Sequence, residues 1–304
     1  MTYSSGGLIQ ASDYNTTATS INTLWGTGSG NSGYGQTNTL TALTAGTDIV
    51  SAAQWSTMIA RLQSMQQHQS NNTTGVPTAP SASQTVSVIG TIATCLSTVT
   101  TNKNVAASYG GATSAAATTN ASSWFSASTK TFTWTFGSSD QARYFFNTGG
   151  YIQITSNTNT IVSPSSGTAW NTFVNTGFNN WTLSANTSQH NGTVGTYTRG
   201  TYLSAQGFYN LTSTPTTWLQ LQETGTGNAN YNANYITVNV SYSAPTITVS
   251  FILTDGDTNT FGRTNTGTTT CTPSATPAWS TYLTSPSSPW GTVPTAANTV
   301  NTQA

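Results

Sequence analysis

The side chains able to do acid–base, nucleophilic or metal chemistry are few. They are His68 and His190, Cys95 and Cys271, the single glutamate Glu223, and the aspartates Asp13, Asp48, Asp140, Asp255 and Asp257. Neither histidine has a second histidine or cysteine at ligand spacing, so no zinc site is expected. Spacing alone leaves a Ser-His-Asp triad open, but the chain has no G-x-S-x-G elbow. Glycoside hydrolysis needs two carboxylates facing across a bond. Asp13 and Asp48 fall in the helical part, and nothing selects a pair among the rest. His68 ends a predicted helix in "MQQHQS", where a cation would complement the helix dipole; His190, in "TSQHNGT", reads as a turn.

Two stretches imitate ligand motifs. "DGDTNTFG", residues 255–262, places Asp255, Asp257 and Asn259 at alternating positions, as a calcium loop does. An EF-hand needs glycine at position six and glutamate at position twelve. Here those positions are Thr260 and Thr266. The stretch reads as a turn, with a weak calcium site as the alternative. "GTGSGNSGYGQTNTL", residues 26–40, is glycine-rich but lacks the GK[ST] end of a P-loop and follows no strand. It reads as a long loop, flexible or wrapped on a neighbour. No catalytic residue, cofactor or metal is assigned, and no enzyme is expected.

The elements that would carry these residues fall into two textures. A helix is predicted over 12–25, capped by Ser12, with Tyr14, Ala18, Ile21 and Trp25 at helical spacing and Gly26 at its end. A second is predicted over 52–69. "SAAQ" at 51–54 fits a capping box, and Trp55, Met58, Ile59, Leu62 and Met65 form its stripe. The two repeat: "IQASDYNT" at 9–16 aligns with "VSAAQWST" at 50–57, and the apolar positions continue in step 41 residues apart. Residues 70–83 read as a linker, and a third helix is expected within 84–101.

From Trp124 onward the period becomes two. "KTFTWTF", "YIQIT", "YITVNVSY" and "TITVSFIL" alternate as half-buried strands, with further candidates at 143–147, 180–185, 196–203 and 217–222. The expected fold class is α+β: an N-terminal helical region with a two-helix pseudo-repeat, then a mainly antiparallel β-sandwich. The expected divisions are 1–83, a helix and linker over 84–123, the sandwich over 124–270, and an extended C-terminal tail over 271–304. "DQARYFFNTGG", 140–150, reads as a strand entering an Asn-Gly turn, with Tyr144 and Phe146 on one face and Phe145 on the other. The core reading of these rings outweighs a stacking platform for sugar or nucleic acid.

Composition narrows the function classes. Charged residues are 4% of 304 against about 25% in ordinary domains, yet aromatic residues reach 11%. Disorder goes with few aromatics and high net charge, so the chain should fold. Its formal net charge of zero offers no footprint for nucleic acid. No window is apolar enough for a membrane span, and "MTYSSGGLIQASDYN" lacks the basic and apolar regions of a secretory signal. Neutral surfaces favour association. Cys95 and Cys271 read as unpaired buried thiols.

A resemblance adds to this. "ARYFFNTGGYIQI", preceded by "FTWTF", resembles the ARYFFNSGG segment of virion structural proteins of tailed bacteriophages, cyanophages among them. "IQASDYNTTATSINTLWGTGSGNSGYGQ" and "AAQWSTM" resemble N-terminal segments of the same proteins. The resemblance covers roughly residues 7–70 and 95–155, with Thr148 where serine is usual and Ser56 where asparagine is common. It implies a neck, collar or tail-fibre component of the virion, assembled in the host cytoplasm, without enzymatic role. Partners would be copies of itself and other neck, tail or capsid proteins. Tyr14, Trp55, Tyr144, Phe145 and Phe146 are the candidates for core or assembly contacts. A fibre or adhesin binding a receptor or host surface glycan through Trp170, Trp181, Trp218 or Tyr231 is the alternative. A polysaccharide-degrading enzyme is the third reading.

Overall fold

The computed structural model describes residues 10–82, 86–115, 117–120, 124, 126–156, 160–162, 167–193, 197–224, 233–256, 265–278, 280–283 and 290–303. The fold is α+β, with antiparallel sheets forming a β-sandwich. The chain divides into two compact units. The first holds residues 1–110, 140–150 and 277–291; the second holds 111–139, 151–276 and 292–304.

In the first unit, α1 (Ala11–Trp25) and α2 (Ala52–Ser70) form where the 3.6-residue period predicts them. The aligned positions Tyr14 and Trp55, Ala18 and Ile59, Ile21 and Leu62, Leu24 and Met65 are all buried. Tyr14 meets Trp55 edge-on, ring centroids 5.9 Å apart. The Ser51–Gln54 capping box forms: the Gln54 N–H donates to Ser51 Oγ, and the Ser51 N–H donates to Gln54 Oε1 at 2.7 Å. Ser12 is not the cap of α1. Gln10 takes that position, and its N–H donates to Asp13 Oδ2. Helix α3 (Ile89–Thr101) completes the cluster with Ile92, Cys95 and Val99.

The segment 140–150 is not a strand. Ser139–Asn147 is a helix, α4, which buries Ala142, Tyr144, Phe145 and Phe146. Phe145 and Phe146 meet edge-on at 5.1 Å, and Phe145 also meets Trp290 at 6.4 Å. The Asn-Thr-Gly-Gly signal is a helix stop rather than a hairpin. The Gly149 N–H donates to the Phe146 carbonyl, and the Gly150 N–H to that of Phe145. This is the Schellman pattern, and Gly149 supplies its left-handed residue at φ 97°.

The second unit contains a seven-stranded and a six-stranded sheet. The seven-stranded sheet joins β1 (Thr113–Ser114), β2 (Thr118–Asn120), β4 (Tyr151–Ser156), β5 (Thr160–Val162), β6 (Asn180–Leu183), β7 (Ser188–His190) and β12 (Thr266–Thr276). The six-stranded sheet runs β13 (Ala297–Gln303), β3 (Ala127–Thr135), β11 (Thr246–Thr254), β10 (Tyr235–Ser243), β9 (Thr216–Glu223), β8 (Tyr197–Tyr202). Alternation decides the faces. Phe132 and Trp134, Ile236, Val238 and Val240, and Ile247, Val249 and Phe251 point inward and are fully buried. Trp181 of β6 meets Trp218 of β9 edge-on at 6.5 Å, joining the two inner faces.

Two further expectations change. Helix α5 (Gly167–Thr172) and the π-helical turn Phe173–Phe178 interrupt the run of strands. Trp170 and Phe173 explain why a helix holds here, since both are fully buried and Trp170 packs on Trp124 at 5.2 Å. The C-terminal part is no extended tail: β12 pairs β4 in one sheet, and β13 pairs β3 in the other.

Candidate functional site

The glycine-rich loop and α4 meet in the first unit. After α1 the chain turns back, and the N–H groups of Tyr34, Gly35 and Gln36 donate to the carbonyls of Leu24, Gly26 and Trp25. The loop thereby satisfies carbonyls that a helix end leaves open. Its own carbonyls turn the other way. Arg143 donates to the Thr27 carbonyl from Nη2 at 2.8 Å and to the Ser32 carbonyl from Nη1 at 2.9 Å, and it pairs with Asp140 at 3.0 Å. Asn147, fully buried, donates to the Gly33 carbonyl at 3.0 Å. A Cβ at Gly28 or Gly33 would run into loop backbone, and both have left-handed φ. The loop is therefore no slack connection. Nor is it an anion cradle: its returning N–H groups are spent on α1, and its carbonyls face a guanidinium.

Beneath it lies a buried polar network. Gln69 donates from Nε2 to Tyr34 Oη at 2.7 Å and to the Val99 carbonyl at 2.8 Å. His68 Nε2 lies 2.9 Å from the Thr148 carbonyl, which can only accept, so Nε2 carries the proton. His68 is fully buried, and burial pulls its ring down to about 4 against the opposing hydrogen bond. It is a neutral core histidine, not the dipole-compensating cation the sequence suggests. His190 behaves alike in the second unit. It lies on β7 rather than in a turn, its Nε2 donates to the Gly177 carbonyl at 2.9 Å, and burial, then the Arg199 charge, lowers it to about 4.

The core of the second unit holds Lys130, 1% exposed, on the inner face of β3. Burial lowers its ammonium to about 8, opposed by Cys271, whose thiol burial raises to about 12. Both cysteines are free and buried, as expected. Glu223 is buried too, and burial first, then the Asp255 charge, raises its carboxyl, while the Asn234 hydrogen bond opposes them. Among the described residues no three His, Cys, Asp or Glu side chains gather as for a metal, and no helix is long and apolar enough to cross a membrane.

Tyr14, Trp55, Phe145 and Phe146 are at most 2% exposed and Tyr144 is 9% exposed. The ring pairs Tyr14–Trp55 and Phe145–Phe146 lie within the first unit. Trp170, Trp181 and Trp218 are core residues at most 1% exposed, which removes them as a sugar-stacking row. Tyr231, Asp257, Asn259 and Thr260 lie outside the described residues. The sequence reading overlooked Arg143 and Asn147 as organisers of the loop. The signal was present: on a helix, positions four apart share a side, and both face the same loop.

The helices also leave a groove of about 510 Å³ between α1 and α3, lined by Ser20, Thr23, Leu24, Leu96, Ser97 and Thr100. The hydroxyls along these helices fold back on their own backbone. Thr16, Ser20 and Thr23 donate to the carbonyls four residues earlier, and so do Thr57, Thr94, Thr98, Thr100 and Thr101.

Comparison with protein-family models, with curated proteins and with solved structures returned no match.

Proposed function

We propose that this chain is a structural subunit of a tailed-phage particle, a neck, collar or tail-fibre component that packs against copies of itself and neighbouring virion proteins. The observation that carries the packing part is the back-bonded hydroxyl surface of α1, α2 and α3. A threonine whose hydroxyl already serves a carbonyl presents its methyl group outward. Such a face hides polar composition behind apolar contact area, and it can be covered without stranding a donor. The outer face of the six-stranded sheet has a related character. Thr131 bonds Ser250 at 2.9 Å, Thr135 bonds Thr246 at 3.0 Å, and Thr217 bonds Asn239 at 2.9 Å. The scarcity of charge and the formal net charge of zero lower the electrostatic cost of bringing copies together.

The virion part rests on the resemblance, and its two best-matched segments support it jointly. "GTGSGNSGYGQ" and "ARYFFNTGG" are the two halves of one clamp, which explains physically why they would occur together. The glycine-rich loop at 26–40 does not argue for wrapping a neighbour, because it is consumed within its own unit. No catalytic role is proposed. Light scattering on the purified protein tests self-association, and protein identification in purified particles tests location. A monomer at high concentration that is also absent from particles would sink the reading.

A further inference from the structure

We propose that Glu223, Asn234 and Asp255 form a binding site for a hard divalent cation of the Ca²⁺ type at one end of the six-stranded sheet. Strand register brings the three together. Tyr235 pairs Gln222 on one side and Thr254 on the other. One step further, Glu223 and Asp255 therefore flank Asn234 from the two neighbouring strands, and the Glu223 N–H donates to the Asn234 carbonyl at 3.1 Å. Neighbouring strands are about 4.8 Å apart. Side chains from three such positions on one face can meet around a single ion.

Two amide-to-carboxylate hydrogen bonds hold the row. Asn234 donates from Nδ2 to Glu223 Oε2 at 3.2 Å, and Asn265 donates from Nδ2 to Asp255 Oδ2 at 2.9 Å. Each amide thus steadies a carboxylate. Two acceptors of the row are left without a donor, Glu223 Oε1 and Asn234 Oδ1. Their residues are 0% and 1% exposed. A buried acceptor without a donor is costly, and a shared proton or a bound metal ion would relieve both. Carboxylate and amide oxygens are the ligands of hard cations. Ca²⁺ accepts six to eight of them in irregular geometry, whereas Mg²⁺ demands a near-ideal octahedron. A row imposed by sheet spacing suits the former, with water or backbone completing the shell. Asp255 opens "DGDTNTFG", and the amide that steadies it, Asn265, lies beyond that stretch.

The test is a melt of the full chain after dialysis against EDTA, in rising CaCl2 with MgCl2 as comparison. Binding to the folded state alone raises Tm with the logarithm of ion concentration. The expected result is such a rise with Ca²⁺ and a smaller one with Mg²⁺. Glu223→Gln can still pair with Asn234 through its amide, so it should fold; its apparent Ca²⁺ affinity should fall at least about tenfold. Terbium luminescence, sensitised by Tyr197 opposite Glu223 on β8, should appear in the parent, yield to added Ca²⁺, and vanish in Glu223→Gln. A Tm unmoved by Ca²⁺ up to about 10 mM, above the weakest protein calcium modules, would overturn the site and leave a shared proton, Glu223 Oε1–H donating to Asn234 Oδ1. A Ca²⁺ shift undiminished in both Glu223→Gln and Asp255→Asn would overturn it too.

Discussion

Arg143 reaches back across 116 residues of chain to donate from Nη2 to the Thr27 carbonyl at 2.8 Å. One side chain thus holds a loop written at the start of the sequence to a helix written in its middle. Arg143→Met should cost about 2–3 kcal/mol in denaturant unfolding, in the range of hydrogen bonds to charged groups. Lysine should not rescue it, because an ammonium cannot reproduce the planar fork on two carbonyls. Hydrogen exchange at Tyr34, Gly35 and Gln36 should quicken in step. Unchanged exchange there would show that the loop stands without the clamp.

Gly149→Ala should destabilise by roughly 1–2 kcal/mol. Its φ of 97° disfavours any L side chain, and the added Cβ would press on Ala106 at 3.0 Å. Phe146→Ala should cost about 3–5 kcal/mol, the usual range for emptying a filled aromatic site. Calorimetry checks both, and a change within error at Phe146 would contradict its role in the core.

Acid should weaken the first unit through His68. Its folded value near 4 lies below the ordinary 6.5. Between these values the unfolded chain binds a proton that the folded chain refuses. Stability is therefore full above about pH 6.5 and drains away as pH falls toward 4, by about 3 kcal/mol at most. A His68→Gln variant, followed by urea melts from pH 7 to 4, should show a flatter profile than the parent. An equal slope would assign the acid sensitivity elsewhere.

Alkali should act in the opposite sense on Lys130. Its folded value near 8 lies below the ordinary 10.5. The unfolded chain holds the extra proton between the two, so stability should rise over that window as pH increases. Lys130→Met fills the same volume without a charge to desolvate, and the alkaline gain should disappear in it. Denaturant midpoints at pH 7.5 and 10 provide the comparison; a gain that survives the substitution would refute the assignment.

Local pattern made α1, α2 and most sandwich strands legible, because each depends on a period and a cap. The helix at Ser139–Asn147 was hidden because Tyr144, Phe145 and Phe146 favour strands when taken singly, and nine residues give a weak period. Tertiary burial overrode propensity there. The spacing of Ala142, Phe145 and Phe146, with a Thr-Gly-Gly stop, was the available clue. The joining of β12 and β13 to the sheets depends on partners more than 100 residues away, which no local window contains. The row of Glu223, Asn234 and Asp255 is of the same kind: it exists only once register is set. Burial of His68 and His190 also had no local sign.

The pairing of β13 with β3 has a consequence for synthesis. Ala297 stands opposite Thr133, so β3 leaves the ribosome long before the neighbour that covers its outer edge. During that interval β3 presents unpaired N–H and C=O groups along a strand of nine residues. Its side chains carry one charge, Lys130, and that one points inward. A nascent chain in this condition can borrow the same edge from a sibling on a nearby ribosome. Slow translation through the middle of the message should therefore raise the fraction of chains lost to entanglement, and a supplied peptide of the β13 sequence should recover some of them.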